Sequence, residues 1–187
     1  MDNNKEQKIF PGVYLISTPI GNMEDITFRA LNILKKSDII LCEDTRRSGK
    51  LLSYFKIKNK LLSYHKFNEK KVIVKVVELI KKNQIISLIS DAGTPTISDP
   101  GMLLVNKCIE ENIGVYPIPG PSAVTSAVTV SGFSDQYLFY GFLPKKEKEL
   151  ENTLKKLLNF SCSIVFFIPA QKINFYLLKF KQYFSDR

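Results

Sequence analysis

The stretch Ile85-Ile-Ser-Leu-Ile-Ser90, followed at once by Asp91-Ala-Gly-Thr-Pro95, decides the fold. A short apolar, β-branched run without alternation suits a strand buried on both faces, and Gly and Pro directly after it end the strand in a tight turn. Four more such runs lie at 13–17, 38–42, 60–64 and 114–118. Each is expected to be buried on both faces. The intervals between them have helical character. In 27–37, Phe28, Leu31 and Leu34 recur at helical spacing, with Asp25 or Thr27 as the cap. In 68–83, Val72, Ile73, Val76, Val77 and Ile80 share one face, opposite Lys71, Lys75 and Lys82. Strand then helix, repeated four times, predicts an α/β fold built of βαβ units around a parallel sheet.

After residue 119 the pattern changes. Pro119-Gly-Pro121 leads into a small-residue helix at 122–131, a strand at 137–143, a Lys/Glu-rich helix at 145–158, a strand at 163–168 and a last helix-like stretch. This predicts an N-terminal parallel α/β domain over 1–119 and a smaller, incomplete C-terminal α/β lobe over 120–187. Two strands make a marginal sheet, so the lobe is expected to lean on the first domain or on a partner subunit.

Charge sharpens the picture. The 187 residues hold 27 Lys/Arg against 18 Asp/Glu, a net +9, with 44% hydrophobic and 24% charged residues, an ordinary globular composition. Residues 46–82 alone contain twelve Lys or Arg and two acids, a net +10, which leaves −1 for the rest of the chain. A surplus confined to one segment predicts a surface for a polyanion.

Ligands of open parallel sheets bind beyond the carboxyl ends of the strands. Five loops follow the predicted strands: 18–22, 43–46, 64–66, 90–101 and 119–123. Gly, Pro, Ser, Thr and Asp dominate them. Glycine permits positive φ and close backbone approach, proline stiffens, and short hydroxyls and carboxylates direct hydrogen bonds. Familiar phosphate and dinucleotide signatures, GxGxxG and GxxxxGK[ST], are absent. His65 is the single histidine, which excludes His-based triads and argues against a metal centre. Cys42, Cys108 and Cys162 lie far apart and read as reduced, mostly buried thiols. The opening MDNNKEQKIF lacks the apolar core of a signal peptide, and no run nears the ~20 apolar residues of a membrane span, so a cytoplasmic protein is expected.

Five motifs in order, TPIGN at 18–22, EDTR at 43–46, SDAGTPTISDPG at 90–101, PGPSA at 119–123 and GFLP at 141–144, resemble the ribosomal RNA small subunit methyltransferase I family. That family consists of 16S rRNA cytidine 2′-O-methyltransferases of the tetrapyrrole-methylase (class III) fold, and the likeness runs from about residue 12 to 187. It implies an enzyme, generally a homodimer, that binds S-adenosylmethionine in a cleft between its two α/β domains and methylates a cytidine ribose in 16S rRNA of the small ribosomal subunit, without metal or membrane. Carried over by motif, the cofactor residues are Pro19, Asp91, Gly93, Thr94, Pro95, Ile97, Ser98, Pro121, Ser122 and Ala123. These loops hold no Lys or Arg, as suits a sulfonium cation.

Methyl transfer to a 2′-oxygen gains mostly from alignment of the reactants, and a nearby base adds to it. Glu43 and Asp44 are the candidate bases, with Arg46 as a phosphate or carboxylate partner; the alternative is an ion pair and helix cap made by the same three residues. Arg46, Arg47, Lys50, Lys56, Lys58, Lys60, His65 and Lys66, interleaved with Tyr54, Phe55, Tyr64 and Phe67, are expected to grip and stack single-stranded RNA. The chain departs from the family near its end. Where relatives read FYESPHR it reads Phe166-Phe-Ile-Pro-Ala-Gln-Lys172, and it stops at Asp186-Arg187 where they continue. Two other readings therefore stand beside the enzyme: a non-catalytic RNA- or ribosome-binding remnant, and a class III methylase of a small tetrapyrrole. The basic segment argues against the latter.

Overall fold

The computed structural model describes residues 8–185, which form two compact units that meet in sequence between Ser122 and Ala123. In the first, β1 (Gly12–Ile16), α1 (Phe28–Lys36), β2 (Ile39–Cys42), α2 (Thr45–Tyr54), β3 (Leu61–Ser63), α3 (Glu69–Lys81), β4 (Ile85–Ile89), α4 (Met102–Glu110) and β5 (Val115–Ile118) alternate along the chain. All five strands are parallel in the order β3-β2-β4-β1-β5.

Alternate residues of the strands feed two separate cores, because side chains in a strand point to opposite faces. Tyr14, Ile16, Ile40 and Cys42 pack under Ala30, Ile33 and Leu34 of α1 and Leu51 and Leu52 of α2. Val13, Ile39, Leu41, Ile86 and Leu88 pack under Ile73, Val76, Val77 and Ile80 of α3 and Leu104 and Cys108 of α4. Each fully buried Leu or Ile contributes about 1.5–3 kcal/mol relative to exposure. Both faces of the sheet are thus covered, as the unalternating runs predict.

Double burial holds for β1, β2 and β4 but not for every strand. Leu61–Ser63 and most of Val115–Ile118 are only partly buried, since β3 and β5 are the edges. Strand order is a tertiary property, so edge and centre look alike in sequence. Pro117 fits this placement: it lies on edge strand β5, where a missing ladder N–H is tolerated. Of the two candidate caps for α1, Thr27 is the one used, its Oγ1 accepting from the Ala30 N–H at 3.0 Å. Asp25 instead ends a short 3₁₀ turn, Met23–Asp25.

The second unit contains α5 (Ala123–Ser131), β6 (Tyr137–Phe142), α6 (Glu147–Leu157), β7 (Ser163–Phe167) and α7 (Ile173–Phe184). β6 and β7 pair in parallel, with a register shift between Phe139 and Gly141. Leu143, Leu150, Leu154 and Tyr176 form its small buried core. Lys179 on α7 bridges Glu147 and Glu151 on α6 at 2.7 and 3.2 Å. Asp186 and Arg187 lie outside the described residues.

Candidate functional site

Parallel strands bring all their carboxyl ends to one edge of the sheet, and there the loops after β1, β4 and β5 are bonded together. Thr18 and Gly93 exchange both backbone bonds, Thr18 N to Gly93 O at 2.9 Å and Gly93 N to Thr18 O at 3.0 Å. The Thr18 hydroxyl donates to Ser90 O at 3.1 Å, and Ser90 Oγ donates to Gly93 O at 3.1 Å. Ser17 Oγ and Thr94 Oγ1 meet at 3.0 Å, and Thr94 Oγ1 reaches Pro121 O at 3.4 Å. A Cβ at Gly120 would come within 2.9 Å of Ser17 Cβ, so only glycine permits this approach. The result is a rigid edge of hydroxyls, carbonyls and glycine.

The 90–101 loop is bent to an unusual degree. Gly93 and Gly101 have φ of 84° and 134°, and Thr96 and Ser98 also lie in the left-handed region at 71° and 64°. For a β-branched threonine this is an outlier, of a kind that clusters at functional sites. The bend carries Asp99, which sequence reasoning passed over, to a half-buried position near Glu43. Burial chiefly, then the Glu43 and Asp91 charges, push its carboxyl up to about 6, against a smaller lowering by the nearby Ser90 hydroxyl. No signal in the sequence separates Asp99 from other loop aspartates.

A carboxyl raised in the fold binds its proton more tightly there than in the unfolded chain. Ionisation of Asp99 therefore costs no stability at pH 3, costs progressively more as pH rises towards about 6, and reaches a constant cost above that. Asp99→Asn is expected to stabilise the protein at pH 7.5 by about 1–2 kcal/mol, once solvent screening of a half-exposed group is allowed for. The gain should shrink towards pH 4 in urea denaturation curves recorded at both values. An equal gain at both would refute it.

The loops after β2 and β3 frame an adjoining cleft of about 470 Å³, lined by Glu43–Arg46, Ser63, His65–Phe67 and Asp91. Asp44 caps α2, its Oδ1 accepting from Arg46 N at 2.9 Å, while the Arg46 guanidinium clasps both carboxylate oxygens at 3.1 and 2.8 Å. These bonds hold its carboxyl well below the usual carboxylate range. Arg47 pairs with Asp91 at 3.3 Å, and Asp91 also accepts from Asp44 N at 3.4 Å. Glu43 is exposed and forms no ion pair among the described residues. The helix cap and ion pair are thus made by Asp44 and Arg46, without Glu43.

Beside Pro19, Thr18 and Asp91 lies a second hollow of about 250 Å³, which also receives Arg47 and Lys50 from α2. The loops themselves contain no cation, but the adjoining helix supplies two. Of the candidate cofactor residues, Gly93 and Pro95 are buried, Asp91, Thr94, Pro121 and Ser122 are partly buried, and Ile97 and Ser98 are exposed. Ala123 opens α5 in the second unit.

The basic segment divides between two edges. Arg46, Arg47 and Lys50 start α2, and His65 and Lys66 follow β3, at the carboxyl edge. Lys56, Lys58 and Lys60 lie between α2 and β3, where the crossover has returned the chain to the opposite edge. A βαβ connection must do this, so one run of charge cannot form one patch. The interleaved aromatics divide too: Tyr64 is buried, with 1% exposure, whereas Phe67 is 94% exposed. Cys42 and Cys108 are buried thiols, Cys108 pushed up to about 11 by burial. Among the described residues no cluster of three or more potential metal ligands occurs, and no helix is long and apolar enough to cross a membrane.

The tetrapyrrole (corrin/porphyrin) methylase family matches residues 12–181. The chain is 48% identical over 162 residues to ribosomal RNA small subunit methyltransferase I of Mesomycoplasma conjunctivae, covering 86% of itself and 68% of that protein. To the proteins of the same name from Rickettsia prowazekii and Thermotoga maritima it is 45% identical, covering 94% and 92% of itself and 63% and 78% of them. It thus spans between about three fifths and four fifths of these relatives' length. Solved structures that resemble it include uroporphyrin III C-methyltransferase from Thermus thermophilus (TM-score 0.63, 13% identity, 93% of this chain and 77% of that one). Another is a cobalt precorrin-4 methyltransferase (TM-score 0.64, 17% identity, 89% and 72%). At such identities the shared property is the fold.

Proposed function

Because the chain belongs to the tetrapyrrole methylase family, and within it to the ribosomal RNA small subunit methyltransferase I proteins, we propose that it methylates a ribose 2′-oxygen of a 16S rRNA cytidine, with S-adenosylmethionine as donor. The observation that carries this reading is the bonded edge formed by the loops after β1, β4 and β5, an array of hydroxyls and carbonyls whose own loops contain no Lys or Arg. These groups suit a zwitterionic nucleoside with a sulfonium centre. Pro19, Asp91, Gly93, Thr94, Pro95, Ile97, Ser98, Pro121, Ser122 and Ala123 would hold it. When bound, it supplies an electrophilic methyl group.

The chain's own residues position and deprotonate the acceptor. Glu43, without an ion pair among the described residues, takes the 2′-hydroxyl proton and passes it to water. Asp44 and Arg46 fix the start of α2, and so the direction of Glu43, rather than exchanging protons themselves. Rigid placement contributes most, since alignment alone is worth about 7–11 kcal/mol in favourable cases. Arg46, Arg47, Lys50, His65 and Lys66 face the RNA at this edge; Lys56, Lys58 and Lys60, towards the other edge, meet more distant phosphates. The protein acts in the cytoplasm as a homodimer. Titration calorimetry with S-adenosylmethionine, followed by tritiated methyl transfer to 16S rRNA from a deletion strain, tests the proposal. Binding and a new 2′-O-methyl stop in primer extension are expected; no binding at millimolar cofactor would overturn it.

A further inference from the structure

The fold leaves one large aromatic ring standing in solvent at the rim of the 470 Å³ cleft. Phe67 is 94% exposed, yet the turn that carries it is held by several hydrogen bonds. Asn68 Oδ1 accepts from His65 N at 2.8 Å, and Asn68 N and Glu69 N both donate to His65 O at 3.0 Å. Asn68 Nδ2 donates to Ser63 O at 3.0 Å, and Phe67 N donates to His65 Nδ1 at 3.3 Å. The His65 and Phe67 rings meet edge to face with centroids 6.0 Å apart. A ring displayed this way gains nothing for folding and loses little freedom on binding, which is the economy of a preorganised contact.

The charges around it set an orientation. Asp44 occupies Arg46 and Asp91 occupies Arg47, so Lys66 is the cleft-lining cation without an ion pair among the described residues. With Asp44 and Asp91 neutralised by those arginines, Glu43 is the cleft-lining carboxylate without an ion pair among the described residues, an acceptor for hydroxyl donors. The volume lies within the ~300–1,000 Å³ usual for small-ligand sites.

We propose that this cleft seats one unstacked nucleotide of single-stranded RNA, with its base on the Phe67 ring, its phosphate at Lys66 and its sugar hydroxyls towards the carboxylates. The inference rests on the RNA reading above but names a single stacking residue. Stacking tolerates any base, because every base has a π-face, and it does not depend on released counterions.

Fluorescence anisotropy with a labelled decauridylate at several salt concentrations separates the two contacts. Phe67→Ala is expected to weaken binding about tenfold or more with no change in salt dependence, whereas Phe67→Trp retains it and Phe67→Leu does not. Lys66→Ala is expected to lower the slope of log affinity against log salt by about 0.7. Because Phe67 is exposed, its variants should melt with the parent chain, which circular dichroism checks. Parent-level binding by Phe67→Ala or Phe67→Leu, or no binding of the decamer by the parent chain, would overturn the inference. Cofactor titration of the parent is scored separately: its failure alongside the expected decamer pattern would reject methyl transfer and leave the stacking site standing.

Discussion

Gly93→Val is expected to abolish S-adenosylmethionine binding and to lower stability by about 1–3 kcal/mol, as left-handed backbone strain on a non-glycine residue costs. Gly93 sits at φ 84°, where a β-branched side chain is a steric outlier. A Cβ there would already touch Ile20 Cγ2 at 3.4 Å, so the two further methyls of valine are expected to crowd the β1 loop. Relief requires breaking the reciprocal Thr18–Gly93 bonds, and with them the tie that holds the β1 and β4 loops together. Gly93→Ala bears the φ penalty without the crowding and should fall between valine and the parent chain. Calorimetric titration and thermal melting of the three proteins check this ordering. A valine variant that titrates like the parent would show that the bonded loops are not the cofactor's seat.

Leu154→Ala should act on the other unit, with a loss of about 2–5 kcal/mol, the usual cost of emptying a well-packed leucine site. Leu154 is fully buried in a cluster shared with Leu143, Leu150 and Tyr176, and beyond these Leu157 and Val124 are buried in its unit. The first unit has two larger cores, one on each sheet face, and contains no part of this cluster. Hydrogen exchange should therefore accelerate across Glu147–Leu157 and Ile173–Phe184 while Gly12–Ile16 and Ile85–Ile89 keep their protection. Uniform acceleration throughout the chain would mean that the two units unfold as one.

Much of the fold was legible because burial leaves a periodic trace. The apolar face of α3 and the unalternating strands β1, β2 and β4 are local patterns, and each matches its place in the structure. Loop chemistry was legible for a similar reason: glycine and proline at the ends of strands mark turns, and parallel strands bring those turns to one edge. Asp44 and Arg46 were legible in part, since an aspartate before a helix caps it, but only the structure shows the bidentate clasp between their side chains.

What sequence alone determined is the set of elements, their alternation, the motif loops and the family, all of which are written in neighbouring residues or in ordered motifs. Tertiary structure decided which strands are edges, that the run of positive charge divides between opposite ends of the sheet, that Tyr64 is buried while Phe67 stands in water, and that Asp99 comes near Glu43. Each of these depends on residues distant in the chain becoming neighbours. Strand order and crossover direction control that, and no local pattern records them.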